Sequence, residues 1–283
     1  MAKMPSARQL TSPMDTDGYA PTMVAPLRCV RRSHLAKTDV QSHYHPWVQI
    51  VFCTRGIIRV AMEHASYTVP PWNAVWIPAG VAHTTAVVDT ADLHALYLLA
   101  DPIPGREQSP MLTALSCFDE RVIEVGILLQ GLVTALTKEE PAAGDRYDAL
   151  CRLTLMELLR APIVAIGITL PSERRLRAFC DAFLQKPSLE LSMGALSKHA
   201  GASVSTIARL FQSELGTSFV EWRKQVLLAH SLTLATRGLT VTQIAFELGY
   251  SNPSAFTFMV TQLVGISPSK FMSLSRSPEE HRE

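Results

Sequence analysis

Paired cysteines, a signal core and any long hydrophobic run are missing from this sequence. Its five cysteines (Cys29, Cys53, Cys117, Cys151, Cys180) are an odd number, widely spaced and without a C-x-x-C. That usage fits reduced thiols and excludes a disulfide-stapled scaffold. The opening MAKMPSARQLTSPMDTDG is polar and has no apolar signal core. The longest uncharged apolar runs, 125–137 and 161–172, are too short to span a bilayer. Together these absences predict a cytoplasmic protein with no membrane partner. Charge is sparse as well, at 18% of residues and net +1, yet 47% of residues are hydrophobic, which excludes a disordered chain. What charge there is lies unevenly. Residues 172–275 carry ten Lys/Arg against six Asp/Glu, whereas 1–171 carry fourteen against sixteen. Only the C-terminal end is suited to a polyanion.

At 283 residues the chain has room for two modest domains, each with its own core. Residues 1–25, rich in Pro, Ser, Thr and Met, read as a flexible arm. Over 26–105, short apolar runs such as VQIVFCT, GIIRVAM, AVWIP and LHALYLL alternate with turn signals. That texture predicts a small antiparallel barrel or sandwich. Over 106–171 the period lengthens. Residues 111–137 and 145–160 have apolar positions at three- and four-residue spacing, broken by EEPAAGD at 139–145, which reads as a helical hairpin. Its apolar face is expected either to pack on the barrel or to form a dimer seam. Residues 172–275 are helical throughout, with Ser192, Ser203, Ser218, Thr240 and Asn252 (before Pro253) as caps, and 276–283 form a tail. The expected fold class is α+β: a β-barrel, a helical linker or dimerisation segment, then an all-α domain.

The helical third repeats itself. GTSFVEW (216–222) and GISPSKF (265–271) align at an offset of 49, and LSKHAGAS (196–203) and IAFELGYS (244–251) at 48. Each unit is a short helix, a turn with Gly, a second helix and a closing Gly-x-Ser: a helix-turn-helix, whose second helix enters the major groove. A plain helical bundle is the alternative, disfavoured by the doubling and by the local basic excess. The run AGASVSTIARLF, then GTSFVEW, IAFELGYSNPSAF and GISPSKF, resembles the DNA-binding domain of AraC/XylS-family regulators over about 172–273. The resemblance implies seven helices, with two recognition helices in successive major grooves. Carried over by position, it implies DNA contacts from Ser205, Thr206 and Arg209 in the first unit, and from Ser254 and Thr257 in the second, with Asn252 near the phosphates. Arg209 suits guanine, and the hydroxyls are adaptable readers. The second unit departs from the family: Phe258 stands where Arg is usual, and Val260 and Thr261 where Phe and a base are usual. The first unit is therefore expected to dominate specificity.

The barrel stretch contains His43-x-His45-x3-Gln49-x6-Gly56 and, later, Pro78-x-Gly80-x2-His83. On a strand, His43 and His45 share one face. The spacings resemble the two cupin motifs, with Gln49 in place of the usual acid, Trp72 for the leading Gly and Val87 for the final Asn. That resemblance covers about 27–100 and implies a cupin sensor barrel whose matched residues converge. Three imidazoles and an amide oxygen suit one divalent metal, Zn, Ni, Mn or Fe, held by His43, His45, Gln49 and His83. The other reading is a metal-free pocket lined by the same histidines. Tyr44, Trp47, Trp72 and Trp76 are candidate walls of an effector pocket, although at strand spacing they are equally core residues. His34, His64 and His94 have no motif support, and Cys53 reads as a buried small residue.

Together the two resemblances identify a sequence-specific transcription regulator, an activator by family implication. A small molecule or metal is its effector, and promoter DNA, RNA polymerase and a second copy of the chain are its partners. The alternative is a metal-dependent cupin enzyme fused to a DNA-binding module. The missing acidic ligand, and the lack of an evident second acid/base pair, argue against it.

Overall fold

The computed structural model describes residues 9–13, 17–36, 38–87, 90–100, 110–139, 144–164 and 167–273. The first eight residues of the arm, the DPIPG stretch at 101–105, most of the 139–145 break and the tail lie outside these. The chain divides into two compact units, 1–60 with 69–164, and 61–68 with 165–283. In chain order the early strands are β1 (Gln9–Thr11), β2 (Leu27–His34), β3 (Thr38–His43), β4 (Val48–Arg55), β5 (Ile58–Ala61) and β6 (Ala65–Val69). After them come β7 (Asn73–Ile77), β8 (His83–Val87) and β9 (Ala91–Leu98). The later elements of the first unit are α1 (Pro110–Ser116), β10 (Arg121–Glu124), α2 (Ile127–Leu136), α3 (Asp145–Arg160) and β11 (Ile163–Val164).

Within the first unit, one sheet runs β1-β3-β8-β5 and the other β11-β10-β7-β4-β9-β2. β4 is the strand on which both depend. Its alternate residues Val48, Ile50 and Phe52 enter a core shared with Leu129 and Val133 of α2 and Leu155 and Leu158 of α3. Its other face turns Gln49 and Val51 into a cavity. A strand buried on both faces reads as a continuous apolar run, as VQIVFC does. Burying each large side chain here contributes about 1.5–3 kcal/mol. Tyr147 of α3 ties the helices to the sheet by donating its hydroxyl hydrogen to the Leu27 carbonyl at 2.5 Å. The helical hairpin therefore packs on the β-domain, the first of the two roles open to its apolar face.

Two expectations are corrected. The stretch 111–137 is not one helix. β10 interrupts it because Val122 and Ile123 extend the sheet beside Val75 and Ala74 of β7, and the ladder satisfies their backbone groups. The arm is not loose throughout, since Gln9–Thr11 pairs in parallel with Thr38–Val40 of β3.

The second unit opens with β6 facing β12 (Gly167–Thr169) in antiparallel register, Tyr67 opposite Gly167. A Cβ at position 167 would lie 2.6 Å from the Tyr67 ring, so only glycine allows this approach. Seven helices follow, as the family resemblance implies: α4 (Arg174–Gln185), α5 (Met193–His199), α6 (Val204–Leu215), α7 (Phe219–Thr236), α8 (Val241–Glu247), α9 (Pro253–Val264) and α10 (Pro268–Ser273). Ser192, Ser203, Ser218, Thr240 and Asn252 each accept a hydrogen bond from the amide three residues on. Such a cap contributes about 1 kcal/mol. α7, about 27 Å long at 1.5 Å per residue, is apolar around most of its girth and is buried accordingly. Phe179, Phe211, Phe219 and Trp222 pack ring to ring at 5.0–6.4 Å around its start. The Trp222 indole N–H donates to the Thr169 carbonyl at 2.8 Å.

Gly56, which closes the first histidine motif, adopts φ +78°, and a Cβ there would sit 2.1 Å from the Thr90 carbonyl oxygen. Gly56→Ala is expected to destabilise the first unit by at least about 2 kcal/mol. Urea melts check this, and an unchanged midpoint would mean that the 90–91 backbone yields.

Candidate functional site

The structure brings the motif histidines together. His43 ends β3, His83 begins β8 directly opposite it, and His45 follows in the turn before β4. One ring nitrogen from each of His43, His45 and His83 lies within 4.8 Å of those of the other two, and His45 and His83 are buried. The ring centroids of His43 and His83 are 4.3 Å apart. Each ring is aimed by its own backbone: His43 Nδ1 donates to Gln41 O at 2.9 Å, His45 Nδ1 to Trp47 O at 2.8 Å and His83 Nδ1 to Val81 O at 3.0 Å. A carbonyl only accepts, so Nδ1 carries the proton and Nε2 presents a lone pair. His83 Nε2 is buried with no hydrogen-bond partner. His45 Nε2 meets Gln49 Oε1 at 2.5 Å. Two lone pairs repel at that distance. Either the amide turns its NH2 toward the ring, or both groups accept one cation. This donor set has the ligand types and the backbone-fixed tautomers that a divalent metal requires.

Burial pushes His83 down to about 4, with smaller lowering from the neighbouring His43 and His45 and an opposing bond to Val81. Burial lowers His45 as well. Both rings are neutral at physiological pH, the form in which imidazole binds metal.

Beside the triad, and sharing His43 and Gln49 with it, lies a cavity of about 260 Å³ between the two sheets. Its walls include Arg32 and His34 of β2, Thr85 of β8, and Leu93, Ala95 and Tyr97 of β9. Residues Thr11 and Ser12 of the arm line it too. Burial holds the Tyr97 phenol up at about 12 and lowers His34, with Arg32 acting on both. The tyrosine hydroxyl is therefore a neutral donor.

The aromatic residues expected to wall this pocket do not. Tyr44 is 73% exposed. Trp76 is fully buried on the opposite face of its sheet, packed on Phe118 beneath the helices. Trp47 stacks flat on His45 at 5.2 Å and supports that ring from outside the cavity. Trp72 takes φ +66°, the left-handed region, where the related motif has Gly. Arg32, His34 and Tyr97 were missed by sequence reasoning. The signal available was period two, since 32 with 34, and 93 with 95 and 97, share strand faces. Cys53 is no ligand; its thiol donates to the carbonyls of Arg55 and Gly56. His94 is buried, and His64 pairs with Ser172 in the second unit.

In the second unit, α6 exposes Ser205, Ala208, Arg209 and Gln212, and α9 exposes Ser254, Thr257, Phe258 and Thr261. The two sets have the same i, i+3, i+4, i+7 spacing and are related by the repeat offset of 49, so each is one helix face. Gln212 and Phe258 complete faces that were only partly assigned from the sequence. Thr206 is half-buried, and its hydroxyl lies 2.9 Å from the Ser203 cap, so it is engaged in closing the helix start rather than fully presented. Asn252 is spent in the same way, its side chain capping α9 at Ala255 N. Val260 is buried.

The AraC-like ligand binding domain model matches residues 26–159, and the helix-turn-helix domain model matches residues 196–273. The chain is 27% identical over 267 residues to the HTH-type transcriptional regulator NimR of Escherichia coli, covering 92% of this chain and 93% of that protein. It is 23% identical over 244 residues to the probable transcriptional regulator LumQ of Photobacterium leiognathi, covering 83% and 92%. It is 26% identical over 131 residues to the arabinose operon regulatory protein of Escherichia coli, covering 44% and 45%. Among the described residues no helix is long and apolar enough to cross a membrane.

The histidine cluster carries a pH signature. His83 has a folded pKa near 4, below its usual 6.5, so the unfolded chain takes the proton first as pH falls. Stability held above pH 6.5 is thus lost between 6.5 and 4, by about 3 kcal/mol at 1.36 kcal/mol per pH unit. Urea melts with chelator at pH 7 and pH 4.5 are expected to show the loss. His83→Gln is expected to shrink it, leaving the part contributed by His45.

Proposed function

We propose, for a chain that belongs to the AraC family of helix-turn-helix transcriptional regulators, that it binds promoter DNA through α6 and α9 under control of an effector held in its ligand-binding domain. The matched exposed faces of α6 and α9 carry this reading. A face of Ser205, Ala208, Arg209 and Gln212 has an arginine for bidentate pairing with guanine, an amide suited to adenine and short neighbours that let both reach. The α9 face has no cation, and its 65%-exposed Phe258 suits thymine methyls. α6 then supplies most of the base readout, and α9 sets register.

The effector site is the cavity beside His43 and Gln49, and one divalent metal on His43, His45, Gln49 and His83 belongs to the same proposal. The orphaned, buried Nε2 of His83 and the short His45–Gln49 contact support the metal. Regulation is by activation through RNA polymerase, and the active form is a homodimer. Its seam is the outer face of the helices, where Ile127 of α2 is 89% exposed and Leu128 of α2 and Leu153 of α3 are exposed as well. The reading is non-enzymatic: the relatives named above are regulators, and the described cavity lining has no carboxylate for acid–base work.

Arg209→Ala is expected to weaken specific DNA binding by about 1–3 kcal/mol and to relax one base position. Gel-shift titration at fixed salt tests this, and unchanged affinity would remove α6 from the readout. Elemental analysis of the purified protein is expected to give about one divalent metal per chain, and His43→Ala/His83→Ala is expected to give none. A metal-free, folded, DNA-binding protein would leave the histidines as pocket wall alone.

A further inference from the structure

We infer that α9 specifies its half of the DNA site through C5-methyl groups, so that 5-methylcytosine serves there in place of thymine while cytosine and uracil do not. The inference rests on the reading above that α6 and α9 enter DNA, and it deepens the α9 part of that reading. α6 and α9 are one frame used twice. Both have twelve residues, both start at a side-chain cap (Ser203 and Asn252), and both end at a left-handed glycine (Gly216, φ 63°, and Gly265, φ 73°). Ile207 and Phe211 of α6 face inward, as do Phe256 and Val260 at the repeat offset of 49. Phe258 therefore stands where α6 presents Arg209, and it is 65% exposed. The register shared with α6 commits this face to DNA rather than to a protein partner.

The chemistry held in that register differs from that of α6. α9, PSAFTFMVTQLV, contains no charged residue. Its exposed side chains are Ser254, Ala255, Thr257, Phe258, Thr261 and Gln262. A phenyl ring neither donates nor accepts a hydrogen bond, and the apolar group that base pairs offer the major groove is the thymine methyl. Hydroxyls and an amide each have both donor and acceptor capacity. They meet the O4 acceptor of thymine and the N4 amine of cytosine alike, and so do not choose between them. Discrimination then falls to the methyl. Uracil pairs as thymine does but lacks that methyl, and 5-methylcytosine carries it on a G·C pair. Burying one methyl against the ring contributes about four-fold in affinity, the ratio equivalent to about 0.8 kcal/mol.

The test starts with the full chain selecting duplexes from a random pool, and interference footprinting locates the two half-sites. Arg209→Ala identifies the α6 half by the contacts it loses. In the other half, each T·A pair is replaced in turn by U·A, C·G and 5-methylC·G, and gel-shift titration at fixed salt gives the affinities. At the pair under Phe258, U·A and C·G are expected to weaken binding about four-fold, and 5-methylC·G to restore it. Phe258→Ala is expected to level the four duplexes and Phe258→Leu to keep part of the preference, both with unchanged melting curves because the ring is exposed. A second half-site with no selected T·A pair, or U·A bound there as well as T·A throughout, would overturn the methyl readout and leave α9 on DNA. 5-MethylC·G bound no better than C·G would overturn it too. A footprint confined to one half-site and indifferent to Phe258→Ala would overturn the inference together with the α9 part of the function proposed above. A chain that selects no duplex would overturn DNA binding itself.

Discussion

The period of two along β4 is the constraint from which the first unit follows. Six consecutive buried residues cannot all face one core. Val48, Ile50 and Phe52 take the side that α2 and α3 must cover, which leaves Gln49 and Val51 for the interior between the sheets. The helices are thus a requirement of the sheet rather than an appendage. Without Leu129, Val133, Leu155 and Leu158, a continuous apolar face would meet water. With that face sealed, the other one can carry polar side chains. Histidines aimed by the carbonyls of Gln41, Trp47 and Val81 are affordable only because the apolar work is done elsewhere.

Legibility in the first unit tracks sequence distance. The triad was readable because His43 and His45 are local and His83 sits in a motif of fixed spacing; pairing of His43 with His83 then depended only on β3 meeting β8. Arg32, His34 and Tyr97 were not readable, because their meeting depends on which strands are neighbours. β2 pairs with β9, sixty residues away, and nothing local announces it. The tryptophans misled for a related reason. Trp76 and Ile77 are equally apolar neighbours on opposite faces of β7, and sequence alone does not say which face is the cavity. β10 was hidden by its length: four residues between two helices disturb a helical period too little to be seen.

The seven helices of the second unit were legible almost throughout, because their signals are local, whereas its strand pair β6–β12 joins segments that the sequence reading had put in the barrel and in the helical linker. Caps, glycine turns and an offset of 49 are read within a few residues of where they act. The structure adds the burial that divides each helix. Ile207 and Phe211 go inward on α6, Phe256 and Val260 on α9, and what remains outward is one face per helix. Those faces are alike in register and unlike in chemistry, Arg209 and Gln212 against Phe258 and Thr261. The doubled motif is thus alike in geometry, while its two halves present different chemistry.

The discontinuous make-up of the second unit bears on how its parts can be separated. Residues 61–68 are encoded a hundred positions upstream of the rest, yet Tyr67 covers Gly167, Leu170 N donates to His64 O, and Arg177 reaches the Glu63 carbonyl. A fragment begun near residue 165 keeps all seven helices but leaves β12 with a bare edge. The Thr169 carbonyl that receives Trp222 then sits on an unpaired strand. Excision at the obvious domain boundary therefore yields a helical domain missing its own first strand pair. A graft that fuses 61–68 back onto such a fragment is the smallest piece that preserves the unit intact.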